Sequence, residues 1–353
     1  MQNAAILEGA VRDRYTEGAR IAKPNLCCPT SYDPRLLEAL PKEIIERDYG
    51  CGDPSRYVRS GDVVLDLGSG TGKMCYMASQ LVGPSGHVIG VDVNDDMLAL
   101  ARKYRNPMAI AFGTRPVDFI KCRIQDLKTD LEQVEKFIAS NPITNRDSMA
   151  RYEDWLRQTP PAVTDGSVDL VISNCVLNLV GKDERQQLIR EIHRVLKPGG
   201  RVAIADVVSD KEVPQNLQEN PDLWADCISG AFQEQEFMRV FTDTGFTDLA
   251  FDKWTDEAWQ VLEGIEFRSV TLTAVKPVTG PCIYGGKEVI YRGPFSRVHD
   301  DDKHEYLRGS RTSVCDKTYQ SLLDGPMSQS FIFIGGSNKS TQTPACQPGG
   351  DCC

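Results

Sequence analysis

Thiols are the groups proteins use against soft electrophiles and soft metals, and this chain carries 12 cysteines among its 353 residues. Three have distinctive surroundings. Cys51 lies between glycines in YGCGDP, Cys175 follows the apolar run VDLVISN, and Cys227 stands beside Trp224 in PDLWADCISGAF, a segment that reads as helix. A cysteine between glycines has little to pack against, which weakens the ordinary reading of Cys51 as a small buried hydrophobe. Cys75 and Cys122 fall inside a helix and a strand, where that ordinary reading is the better one. Structural zinc usually shows paired ligands at short spacing, such as C-x2-C, and the sequence has none.

A second candidate is VVLDLGSGTG, residues 63–72. An apolar run ends in Asp66, and Gly68, Ser69, Gly70 and Gly72 then turn the chain into the helix-compatible KMCYMASQLV. This is the pattern of a buried parallel strand turning onto a helix N-terminus, with glycines that let a ligand approach the backbone. The spacing is G-x-G-x-G rather than the pyrophosphate-gripping G-x-G-x-x-G, which favours a cofactor without phosphates, S-adenosylmethionine (SAM) being the common one. HVIGVDV reads as the next strand, ending at Asp92 and Val93, where an acidic side chain can accept hydrogen bonds from ribose hydroxyls. Asn94 can cap the following helix while Asp92 faces the cofactor.

These groups need a sheet to position them. Alternation of VVLDL, HVIGVDV, VDFIKCRI, VDLVISN and RVAIADVV with helical segments predicts a doubly wound, Rossmann-like α/β sheet. FTDLAFDKW and FRSVTLTAVKP predict its antiparallel edge. Ligands bind outside the carboxyl ends of such strands, where Gly68, Asp92, Ile124 and Cys175 fall. Residues 1–24 and 34–47 read as helices, and DERQQLIREIHRVL as an amphipathic helix stopped by Pro-Gly-Gly, with His193 structural. GPCIYGGKEVIYRGPF reads as a hairpin and SFIFIGG as a further strand. We therefore divide the chain into an N-terminal cap (1–60) bearing Cys27, Cys28 and Cys51, and a methyltransferase domain (61–277) with a polar insertion at 126–162. A small C-terminal α+β domain (278–340) and a disordered cysteine-ended tail (341–353) complete the division.

The composition is 41% hydrophobic and 25% charged with a net charge of −10 and no long basic block, which disfavours nucleic acid as a partner. No signal-peptide core and no apolar run of the roughly 18 residues needed to span a bilayer is present, so a cytoplasmic protein without membrane attachment is expected. In that compartment the cysteines do not read as a disulfide framework.

Distant thiols meeting beside a methyl-donor site suit a soft acceptor atom. Trivalent arsenic fits, because it takes three thiolates pyramidally and keeps a lone pair. On the residues alone, Cys51, Cys175 and Cys227 stay open between such a site and simple burial. The chain resembles the SAM-dependent arsenite methyltransferase family over nearly its whole length, through NLCCPT, YGCGDP, DLGSGTGKMCYMASQLVG, GHVIGVDV, SNCVLNLV, RVLKPGGRV and LWADCISGAF. IYGG near Tyr284 and the cysteine-ended tail are similar to the family's C-terminal region.

The resemblance implies that Cys175 and Cys227 bind the trivalent arsenical throughout. It implies that Cys51, with Cys27 or Cys28, completes the early site and forms a disulfide that returns oxidised arsenic to the trivalent state. Thioredoxin or glutathione would reduce that disulfide. Gly68, Ser69, Gly70, Asp92, Ile124 and Asn174 would hold SAM, and Asp66, Gly72 and Val93 are further cofactor-binding candidates. Arsenite and methylated arsenicals, as thiol conjugates or otherwise, are the implied substrates of a monomeric detoxification enzyme. Met74 where an aspartate is expected, the long insertion, and IADVVSD in place of a more aromatic segment depart from the family pattern. Methyl transfer to an arsenic lone pair removes no proton, so no general base is required and positioning dominates. An N-, O- or S-methyltransferase for an organic metabolite, or a non-catalytic metalloid-binding protein, are the alternatives.

Overall fold

The computed structural model describes residues 2–21, 30–47 and 49–335, with residues 2–8 as backbone only. Helix α1 (Gln2–Arg20) is followed by two short helices, α2 (Pro34–Glu38) and α3 (Lys42–Glu46). The single helix expected over residues 34–47 is divided at Pro41, which removes a backbone donor and drives the preceding residue out of helical geometry. Strand β1 (Val63–Leu67) turns into α4 (Lys73–Val82), and β2 (His87–Asp92) into α5 (Asp95–Lys103). A helix not expected from the sequence, α6 (Arg105–Phe112), precedes β3 (Asp118–Lys121), so Cys122 lies one residue beyond that strand, fully buried.

The insertion forms α7 (Leu131–Ser140), capped by Asp130, and α8 (Arg146–Gln158), started by a capping box of Asn145 and Ser148. Then come β4 (Val168–Asn174), α9 (Lys182–Val195) and β5 (Leu196–Ser209). The Pro-Gly-Gly expected as a stop lies inside β5, and the β4–β5 register shifts between Val168 and Leu170 to absorb it. Next are α10 (Gln215–Gln218), α11 (Pro221–Ala225), β6 (Phe232–Gln233) and α12 (Glu234–Thr242). Strands β7 (Thr247–Trp254), β8 (Gln260–Leu262) and β9 (Ile265–Val275) finish the large sheet. Beyond it lie β10 (Lys287–Tyr291), β11 (Arg297–His299), β12 (Glu305–Leu307), β13 (Arg311–Val314), α13 (Asp316–Asp324) and β14 (Phe331–Ile334).

The main sheet has the order β3-β2-β1-β4-β5-β9-β7, with β6 on β5 and β8 on β9. Strands β1 to β5 are parallel and β9 runs antiparallel to β5 and β7. Order reverses between β1 and β4, which opens the ligand crevice at their carboxyl ends. Both faces are covered, as a parallel sheet requires. Leu65, Leu67, Ile189, Ile192, Phe237 and Phe241 pack on one side, and Val64, Met74, Tyr76, Met77, Leu170 and Ile172 on the other. His193 sits edge-on to Phe246, and burial lowers its pKa, in keeping with a packing role.

The hairpin expected over GPCIYGGKEVIYRGPF does not form. Strand β10 instead takes β13 and β14 as antiparallel neighbours, and β11 pairs with β12, around a separate core of Val289, Tyr291, Tyr306, Val314 and Phe331. Residues far along the chain supply the partners that a local reading cannot. Among the described residues, no helix is long and apolar enough to cross a membrane. Cys27, Cys28 and the 341–353 tail lie outside the described residues.

Candidate functional site

The glycine turn between β1 and α4 is shaped by contact as well as by conformation. Gly68 adopts φ +68°, and a Cβ there would come within 2.6 Å of the Val176 side chain. At the end of β2, Asp92 accepts hydrogen bonds from Gly70 N and Asn94 N, both at 2.8 Å, while Asn94 caps α5 through Met97 N. The carboxylate is thus fixed in orientation by the turn it faces.

Gly68, Gly70, Asp92, Val93 and Ile124 line a cavity of about 580 Å³, within the size range of small-molecule sites. Helix α1 closes it from above through Val11, Arg12 and Tyr15. That helix is tied down by Asn94 Nδ2 to Thr16 Oγ1 at 2.9 Å, by Arg20 with Asp96 at 3.0 Å, and by an Arg14–Asp226 ion pair. Arg47, Tyr49, Arg123, Gln125 and Leu131 complete its sides. The insertion therefore borders the cavity through the start of α7, although its sequence suggested no chemistry. A carboxylate held at the mouth of a glycine turn, facing a cavity of this size, fits an adenosine ribose.

Other predicted cofactor residues stand behind the wall. Asp66 is buried and accepts from the Cys75 thiol at 3.2 Å. Ser69 is buried with its Cβ against Gly90, and a Cβ on Gly72 would press on Phe119 and Tyr76. Asn174 turns to the thiol side. Its Oδ1 accepts from Cys51 N at 2.8 Å and Gly52 N at 3.1 Å, and its Nδ2 donates to Gly52 O at 2.8 Å and to the Tyr32 hydroxyl at 3.2 Å.

That clamp brings Cys51 to the sheet. A Cβ on Gly50 would lie 2.2 Å from Asn174 Nδ2, and one on Gly52 would lie 2.5 Å from the Ala205 Cβ. The flanking glycines thus let the loop press against the end of β4 and against Ala205 within β5, and Cys51 is only 4% exposed. The sequence expectation that it has little to pack against is corrected: the same glycines that remove local neighbours admit distant ones. Ser269 Oγ also donates to the Cys51 carbonyl.

Cys175 and Cys227 both have left-handed backbones, with φ +63° and +61°. Such a conformation costs a non-glycine residue on the order of 1–3 kcal/mol and concentrates at functional sites. Cys227 is not helical as expected, because α11 ends at Ala225 and Cys227 forms the turn after it. Its thiol donates to the Cys175 carbonyl at 3.2 Å. Cys51 Sγ, Cys175 Sγ and a carboxylate oxygen of Asp206 all lie within 4.8 Å of one another. Cys227 packs in the same cluster, with Val207, Ile228 and Phe267.

Asp206, not singled out from the sequence, anchors this region from inside β5. Its oxygens accept from Leu177 N at 2.9 Å, Asn178 N at 3.3 Å, Asn178 Nδ2 at 2.8 Å and Val207 N at 2.8 Å. Burial pushes its carboxyl up to about 7 against those backbone donors. Asn178 passes the connection on, donating to Val207 O at 2.7 Å and Cys227 O at 3.2 Å and accepting from Phe232 N at 3.3 Å. The turn carrying Cys175 and the turn carrying Cys227 are thereby one hydrogen-bonded unit. The available signal was a single acidic residue within the otherwise apolar IADVV.

Cys175 also lines the cavity that contains Asp92. The thiol cluster and the cavity therefore share a wall.

Comparison with known proteins gives consistent relatives. A methyltransferase-domain family model matches residues 58–245, and one described as a domain of unknown function (DUF8838) matches 278–351. The chain is 33% identical over 329 residues to an arsenite methyltransferase of Aquipseudomonas alcaligenes, covering 89% of this chain and 86% of that protein. It is 29% identical over 324 residues to the arsenite methyltransferase of Mus musculus, covering 86% and 75%. The crystal structure of an arsenic(III) S-adenosylmethionine methyltransferase from Chlamydomonas reinhardtii superposes with a TM-score of 0.59 at 27% identity, covering 88% of this chain and 97% of that one.

Proposed function

The chain belongs to the arsenite methyltransferase family, and from that premise we propose that it methylates trivalent arsenic held by Cys51, Cys175 and Cys227. The observation that carries this reading is Cys175, which belongs at once to the thiol cluster and to the wall of the Asp92 cavity. SAM, when bound in that cavity, supplies an electrophilic methyl on a sulfonium. Asp92 would hold the ribose, with Gly68, Gly70, Val93 and Ile124 forming the adjoining wall.

The chain's own contribution is placement. Thiols exchange protons for arsenic as they bind it, so affinity grows with thiolate fraction. The left-handed turns at Cys175 and Cys227 are held by the Asp206–Asn178 network. Fixing acceptor and donor sites across one shared wall converts an encounter into a positioned reaction. The apolar surroundings, Val207, Ile228 and Phe267, exclude water from the acceptor.

We place the reductive half of the cycle on Cys51 with Cys27 or Cys28. Two thiols give up two electrons, pentavalent arsenic returns to the trivalent state, and thioredoxin or glutathione reduces the resulting disulfide. Residues 61–277 would form the methyltransferase domain and 278–340 a small appended one. Arsenic detoxification by a cytoplasmic monomer is the matching cellular reading.

The test is incubation of the purified protein with SAM, a thiol reductant and arsenite, followed by chromatographic arsenic speciation. Methylated arsenic is expected from wild type and none from Cys175→Ser or Cys227→Ser. SAM binding without any methylated arsenic would refute the reading and direct attention to organic acceptors.

A further inference from the structure

A second pair of cysteines meets in the C-terminal region. Cys315 is the N-cap of α13, with Thr318 N directed at its sulfur at 3.5 Å and the Thr318 hydroxyl at 3.3 Å. Cys282, 33 positions earlier by number, is carried to the same place by the loop ahead of β10. The loop bearing Cys282 is held to the start of α13 on both sides of that residue. Asp316 N donates to Ile283 O at 2.8 Å, and Lys317 Nζ donates to Gly280 O at 2.9 Å. Cys315 is buried and Cys282 half-buried, so the pair has a protected sulfur and one that solvent can reach.

The geometry points to a second arsenical site: Cys282 and Cys315 form a preorganised dithiol that captures a trivalent arsenical with two exchangeable oxygen ligands. Two cysteines whose chain neighbours are already hydrogen-bonded to one another can be bridged by one soft atom with little movement of either segment, and preorganisation of this kind favours affinity. A thiol facing the N–H groups of a helix start is also the kind of sulfur that reacts as thiolate. Zinc would require four ligands. Among the described residues no further cysteine, histidine or carboxylate completes a set around this pair. In the capture step, R–As(OH)2 and two thiols give R–As(S–Cys)2 and two waters. Two As–O bonds break, two As–S bonds form, the thiol protons leave in the water, and no oxidation state changes. The inference is independent of the methyl-transfer reading, because capture needs neither SAM nor turnover.

The experiment is a titration of the reduced full-length protein with phenylarsine oxide, without SAM, read by intact mass and by mapping of arsenic-bridged peptides. Bridging of the Cys282 and Cys315 peptides is expected in wild type and in Cys175→Ser. One bound equivalent should be lost in Cys282→Ser and in Cys315→Ser alike. Serine is itself a strong N-cap, so Cys315→Ser should keep its thermal melting point, which separates loss of ligand from loss of fold. Unchanged stoichiometry in both variants, or arsenic bridging other cysteines only, would overturn the assignment.

Discussion

The cofactor side and the thiol side of the cleft are built on opposite plans. The cofactor side takes its glycine turn and its carboxylate from one stretch of chain, residues 63–94, in which two strands, the turn and Asp92 follow in order, while α1 and Ile124 only close the cavity around them. The thiol side draws on Cys51, Cys175, Asp206 and Cys227, which meet only when the sheet is assembled. A contiguous stretch can be specified by local pattern. A gathered site depends on buried hydrogen bonds between remote segments, and here those run through Asn174, Asn178 and Asp206. The difference teaches that the two sides should fail independently.

The largest expected effect tests this directly. Cys227→Ser should reduce methylated arsenic by about 100-fold or more, the scale expected when a reactant is misplaced, while SAM affinity measured by calorimetry stays within about 2-fold. Equal loss of both would mean that the two sides are not separable. Next, Asn178→Ala leaves the carbonyls of Val207 and Cys227 and the amide of Phe232 without the partners they have now. It should cost about 3 kcal/mol in urea unfolding, since each orphaned buried group costs on the order of 1–3 kcal/mol, and weaken phenylarsine oxide binding at the Cys175 peptide.

The mirror experiment is Asp92→Ala. Losing charge-assisted hydrogen bonds of about 2 kcal/mol should weaken SAM roughly 30-fold and leave arsenical binding unchanged. Gly52→Ala is subtler. Its Cβ would lie 2.5 Å from that of Ala205, and overpacking of about 1 kcal/mol should lift the Cys51 loop, slowing alkylation protection by arsenite without touching SAM affinity.

The smallest effect concerns pH. Burial raises the folded-state carboxyl of Asp206 to about 7 from a reference of 3.8. A group whose folded pKa is raised contributes stability that is complete below its unfolded pKa and is lost as pH rises through the folded value. Wild type should therefore lose stability relative to Asp206→Asn between about pH 4 and 7, read by denaturation at successive pH values. A gap between the two proteins that is flat with pH would show that the carboxylate is ionised throughout and that its N–H donors outweigh burial.

Much of the sheet is legible in the sequence because buried parallel strands are continuous apolar runs and their helices carry clear caps. Asn94 and the VVLDL–glycine junction are instances. The places that resist reading share a cause. The division at Pro41, the strand character of Leu196–Gly200 and the partners of β10 each depend on what lies across from the segment rather than within it. Cys51 shows this most plainly, since its glycines signify close approach, not emptiness. Asp206 was visible as one acid in an apolar strand, but nothing local told whether it would be buried beside thiols.

By itself the sequence determined the succession of the five parallel strands, the glycine turn with Asp92 beyond it, and the cysteines available for soft-atom chemistry, because those follow from periodicity, capping and residue type. Only the tertiary structure decided which cysteines meet and in what geometry. It set the left-handed turns at Cys175 and Cys227, enclosed Asp206 among four donors, and pinned the loop of Cys282 to the helix start that follows Cys315. The physical reason is that these arrangements are maintained by buried contacts between segments far apart in the chain, whose energy exists only once the sheet has closed around them.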